Sequence, residues 1–130
     1  MIFAMILPLL AQAAATEPAD PPSETEVAEH SATIEASLDK WKGGIYKKDG
    51  KLTCRIEQSS GDEAVDLLRC GAMVGCYSPK ADRLDAIAAS GDAKEEQIAQ
   101  MRAISAEVQP CLAKAHEQGV RRLAVLRASL

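Results

Sequence analysis

Cys54, Cys70, Cys76 and Cys111 are the residues of this chain with the most chemistry to offer. A thiol oxidoreductase needs a C-x-x-C pair that lowers one thiol pKa, and no two of these cysteines have that spacing. A zinc site needs Cys and His ligands at close, regular intervals. Here only His30 and His116 are on offer, and His116 stands five residues beyond Cys111. An even cysteine count in an exported chain points instead to two structural disulfides. The sequence therefore assigns these four residues to disulfides and assigns no catalytic, cofactor-binding or metal-ligating residue.

Four cysteines allow three connectivities, and geometry removes one. On a shared helix, Cys70 and Cys76 would lie about 9 Å apart along the axis and point about 120° apart. A disulfide needs Cα atoms within about 7 Å. Of the two connectivities left, Cys54–Cys70 with Cys76–Cys111 is preferred. It ties a strand to the helix that follows, and that helix to the C-terminal one. Each closed loop is expected to contribute about 3 kcal/mol.

Ser59 and Ser60 before Gly61 invite a search for a nucleophile, but no G-x-S-x-G elbow surrounds them. Turn and cap chemistry accounts for the S-S-G-D run. Asp62, Glu63 and Asp66 then place acids in the first turn of a helix, where the helix dipole favours them.

These residues need elements to hold them. Ser23-Glu24-Thr25-Glu26 has the form of a capping box. Val27, Ile34, Leu38 and Trp41 follow on one helical stripe, and Gly43-Gly44 is expected to end that helix. Ile45–Lys48 and Lys51–Gln58 flank Asp49-Gly50, a type I′ hairpin signal. In the second arm Leu52, Cys54 and Ile56 alternate with polar residues, as a half-buried strand requires. Asp62 is the N-cap candidate of the next helix, whose stripe is Val65, Leu68, Ala72, Met73 and Cys76. Gly71 and Gly75 in it predict a close backbone approach within the molecule. Ser78-Pro79 reads as a cap and first position of a further helix carrying Leu84 and Ile87, broken at Ser90-Gly91.

Asp92 opens the longest helical pattern, with Ile98, Met101, Ile104, Val108, Cys111, Leu112, Ala115, Val120, Leu123 and Leu126. Pro110 is expected to kink or divide it near Gln109, and Gly119 to weaken its second half. The sum is an α+β fold, mainly helical, with a small β-hairpin packed on a disulfide-stapled set of helices.

Composition and charge bound the function. The 130 residues include 15 Lys+Arg and 19 Asp+Glu, a net charge of −4, and only 3% aromatics. A bulky β-sandwich or barrel is excluded by that aromatic poverty. Nucleic acid is not an expected partner, because phosphate binding needs clustered positive charge. The charge is uneven: Glu17, Asp20, Glu24, Glu26, Glu29, Glu35 and Asp39 all precede the first base, Lys40. Near the other end Lys114, Arg121, Arg122 and Arg127 outnumber Glu117. That asymmetry can steer the first helix onto the last.

The N-terminal run MIFAMILPLLAQAAA is apolar and ends in small residues, with an A-x-A site at Ala11-Gln12-Ala13. It reads as a secretory signal peptide, residues 1–13, shorter than the roughly 20 residues of a permanent span. Residues 14–22 follow as a proline-rich disordered leader, and residues 23–130 as one disulfide-stapled domain. The expected location is periplasmic or secreted, with no stable membrane span after cleavage.

The stretch Gly50 to Cys70, GKLTCRIEQSSGDEAVDLLRC, resembles a strand–turn–helix piece in the C-terminal periplasmic domain of TonB-like energy transducers. The pattern is a strand cysteine, S-S-G at the turn, then an aspartate and a second cysteine in the helix. Cys54, Ser59, Ser60, Gly61, Asp66 and Cys70 supply it. Continued to Cys76, the run is similar to small uncharacterised exported α-proteobacterial proteins. The resemblance implies Cys54–Cys70 pairing and export to the periplasm.

The leading expectation is a non-enzymatic exported protein with a binding or structural envelope role and an envelope protein as partner. A thiol redox or metal-handling protein is the alternative that the cysteines alone suggest. An accessory to TonB-type outer-membrane transport is the alternative that the resemblance suggests.

Overall fold

A computed structural model describes residues 20–130. The expected signal segment, residues 1–13, and residues 14–19 of the expected leader lie outside the described residues. The elements run α1 (Glu24–Leu38), β1 (Lys42–Lys48), β2 (Lys51–Gln58), α2 (Glu63–Tyr77), a 3-10 turn (Ser78–Lys80), α3 (Ala81–Ala89) and α4 (Lys94–Ala128). This is the mainly helical α+β fold that the sequence pattern predicts.

Ser23 caps α1 by accepting a hydrogen bond from the Glu26 amide at 3.1 Å. The helix stops at Leu38 rather than at the glycine pair. The hairpin explains why. Asp49 (φ 52°) and Gly50 (φ 76°) both take positive φ, as a type I′ turn demands. That turn fixes the register back along both arms, Lys48↔Lys51, Ile45↔Cys54 and Gly43↔Ile56. Gly43 and Gly44 are thereby drawn into β1, and Trp41 sits beyond the helix it was expected to extend.

Both disulfides form as preferred. Cys54–Cys70 joins β2 to α2 with Cα atoms 5.4 Å apart, and Cys76–Cys111 joins α2 to α4 at 5.8 Å. Two core clusters are strung along α4, and the second includes Cys76. Toward its C-terminal end Val27, Ile34, Val65, Val120 and Ala124 are buried together. Toward its middle Cys76, Tyr77, Ile104, Val108 and Leu112 are buried, with Ile45, Leu52, Leu84 and Ile87 packed against them.

Several local expectations fail. α4 runs its 35 residues, about 52 Å, unbroken through Pro110. Buried Val108 and Leu112 flank the proline and Cys111 is bonded to Cys76, so packing holds a helix that the missing amide weakens. Gly71 and Gly75 face open space, with nothing within 4 Å of where a Cβ would stand. The close approach occurs at Gly119, where a Cβ would meet the Leu68 side chain at 2.9 Å. Ser78 does not cap α3, because its hydroxyl donates back to the Val74 carbonyl at 2.6 Å. Ile56 is exposed despite its place in the alternation. Met101, Ile98 and Leu126 are exposed on α4.

Candidate functional site

The cysteines come first. All four are bonded in pairs and none is free. Among the described residues no three His, Cys, Asp or Glu side chains gather into a group that could hold a metal ion.

The S-S-G-D turn is built around Asp66, which is buried. Its Oδ2 accepts the Ser59 hydroxyl at 2.5 Å, and its Oδ1 accepts the Ser60 amide at 2.8 Å and the Ser60 hydroxyl at 2.7 Å. Asp62 caps α2 by accepting the amides of Ala64 (3.1 Å) and Val65 (3.4 Å). Arg127 from the end of α4 donates to Asp62 at 2.7 Å. Sequence reasoning treated Asp66 as one of three dipole-facing acids. It is in fact the hub of the turn. The S-S-x5-D spacing is the signal that could have revealed it, because one turn of helix carries Asp66 back over the two serines.

Those hydrogen bonds hold the Asp66 carboxyl below its ordinary value, with the Ser59 hydroxyl the largest cause. On the far side, Arg83 of α3 and Lys80 clasp Glu107 of α4. The Glu107 carboxyl is lowered to about 2, chiefly by the Arg83 hydrogen bond. Both carboxylates are stronger acids folded than unfolded. Their stabilisation is therefore complete above the ordinary carboxylate range and disappears as pH falls through the folded values. Melting temperature is expected to fall steadily from about pH 5 to about pH 2. Asp66→Asn and Glu107→Gln should each flatten that slope, as circular dichroism melts across the range will show.

Neither His30 nor His116 belongs to a group of potential metal ligands among the described residues. His116 Nε2 stands 2.8 and 2.9 Å from the two Glu35 oxygens, tying α4 to α1. Arg121 reaches Glu24 across the same pair of helices. The acidic first helix thus lies on the basic end of the last, as the charge asymmetry allowed.

Two of the surface hollows and one strand face bear on function. A cleft of about 240 Å³ is lined by Glu35, Leu38, Asp39, Trp41, Arg69 and His116. The Arg69 guanidinium stands 5.6 Å from the Trp41 ring centroid, and Trp41 Nε1 is buried without a partner. A second hollow of about 290 Å³ is lined by Ile45, Tyr46, Leu52, Leu84, Ala88 and Met101. The Lys47–Asp85 ion pair sits at its rim.

The strand face is the outer side of the hairpin. Residues opposite each other in an antiparallel pair share a face, and alternate pairs share the same one. The pairs Gly44↔Arg55, Tyr46↔Thr53 and Lys48↔Lys51 therefore lie together, away from the Cys54–Cys70 bond. The Arg55 guanidinium stands 5.1 Å from the Tyr46 ring centroid. None of these positions carries a spacing signal as a set, since only the register brings them to one face.

No family model, curated protein or solved structure matches the chain.

Proposed function

We propose that this is an exported protein of an oxidising compartment that acts by binding, or by a structural role, at the cell envelope and performs no catalysis. The observation that carries the reading is the use of its cysteines. All four are committed to two disulfides that join β2, α2 and α4. Such bonds persist where thiols are not kept reduced. The other polar groups that invite a catalytic reading are engaged in holding the fold: Ser59 and Ser60 by Asp66, and His116 by Glu35.

Differential alkylation tests this directly. Protein released from cells by osmotic shock is expected to show no reactive thiol before reduction and four after it. Two or more free thiols in freshly isolated material, or recovery only from the cytosolic fraction, would overturn the export reading. Turnover of a substrate that depends on a polar residue lining either hollow would overturn the non-enzymatic one.

A further inference from the structure

The outer face of the hairpin carries positive charge, of which only Arg55 meets a partner within the fold, the Tyr46 ring. Lys48, Lys51 and Arg55 are exposed, and none has a carboxylate partner among the described residues. Lys48 stands directly opposite Lys51 in the ladder. Like charges in that position destabilise a sheet, so the arrangement works against the hairpin until an anion comes between them. Tyr46 lines the hollow that also takes in Ile45 and Leu52, whereas Lys48 and Lys51 stand clear of it at the turn, and nothing lies within 4 Å of the position of a Cβ on Gly44.

From this juxtaposition we infer that the outer hairpin face docks on the surface of an anionic phospholipid bilayer, through Lys48, Lys51 and Arg55 with Tyr46 at headgroup depth. The inference deepens the export reading above, since an exported protein faces a membrane leaflet.

Three features favour a lipid plane over other polyanions. Three cations spread over two strands, with no pocket drawing them together, suit a surface of diffuse charge rather than one small anion. Lysine is a mobile, strongly hydrated point charge that meets headgroups without fixed geometry, whereas recognition of a protein carboxylate favours the rigid arginine fork. A tyrosine beside the cations matches the amphipathic rings that settle at membrane interfaces.

The test is co-sedimentation of the full chain with phosphatidylglycerol–phosphatidylcholine vesicles, set against pure phosphatidylcholine vesicles. The ratio of the two cancels any uptake driven by the apolar N-terminal run. The wild type is expected to favour the anionic vesicles at low ionic strength. That preference should vanish near 0.5 M salt, where the screening length falls to about 4 Å.

Each cation near such a surface changes partitioning by about fivefold, so K48Q/K51Q should lose roughly 25-fold. The same double variant relieves the like-charge pair, so its melting temperature should hold or rise. Neutralising Arg121 and Arg122 on α4 instead should leave the vesicle ratio unchanged.

Equal binding to both vesicle types overturns the inference, as does an unchanged ratio in K48Q/K51Q. So does salt-sensitive binding to polyglutamate or DNA without vesicle preference. None of these results bears on the thiol and fractionation tests, so the two readings fail separately.

Discussion

Replacing Cys76 and Cys111 together by serine is expected to lower the unfolding free energy by about 4 kcal/mol and the melting temperature by about 15 °C. The loop that this bond closes spans 35 residues, and the entropy it removes from the unfolded chain grows with the logarithm of that span. The Cys54–Cys70 loop is shorter, 16 residues, and its loss should cost about 3 kcal/mol. A domain of this size has only about 5–15 kcal/mol in all. The quadruple serine variant, or the reduced wild type, should therefore lack a cooperative transition at 37 °C, as circular dichroism melts with and without reductant will show. A reduced protein that melts within a few degrees of the oxidised one would mean that the two core clusters along α4 suffice without covalent help.

Gly43→Ala is expected to destabilise by about 3 kcal/mol, at the upper end of the cost of forcing atoms into a filled site. A Cβ on Gly43 would lie 2.3 Å from the Arg55 carbonyl oxygen and 2.6 Å from the Trp41 ring. The carbonyl belongs to the paired strand and cannot step aside without breaking the ladder. Gly44→Ala is the matched control. Its Cβ would meet nothing within 4 Å, and its cost should stay within about 0.5 kcal/mol. Urea unfolding of the two variants separates steric closure at one position from the general tolerance of its neighbour.

Much of this fold was legible because its signals are local. The Asp49-Gly50 turn, the Ser23 and Asp62 caps and the stripe from Val65 to Cys76 each depend on residues within a few positions of one another. Expectations failed where a local signal met a stronger distant one. Gly43-Gly44 is a sound helix terminator, but the register imposed from Asp49-Gly50 took both glycines into a strand. Pro110 is a sound helix breaker, but the buried residues on either side and the bond at Cys111 kept α4 whole. Gly71 and Gly75 had the spacing of a packing surface, yet Leu68 packs on Gly119 instead. Ala124, fully buried, was invisible because α4 carries alanine at exposed positions as well, Ala99, Ala103, Ala106 and Ala113 among them.

The candidate sites were less legible still. Asp66 was misread as a dipole acid because its partners, Ser59 and Ser60, precede the helix rather than share it. The cleft at Trp41, Arg69 and His116 draws on α1, the chain before β1, α2 and α4. No spacing rule relates those positions.

The residues alone determined the helical and hairpin periods, the two caps, the type I′ turn and, through cysteine number, the expectation of two covalent staples, whose pairing they narrowed to two connectivities. These follow from backbone sterics and side-chain periodicity, which act over one or two turns of chain. Only the tertiary structure decided where α1 ends, that α4 continues past its proline, which glycine is packed against, and that three cations share one face of the hairpin. Each of those outcomes depends on what lies across a gap of many residues, and burial and strand register are properties of the neighbour as much as of the chain itself.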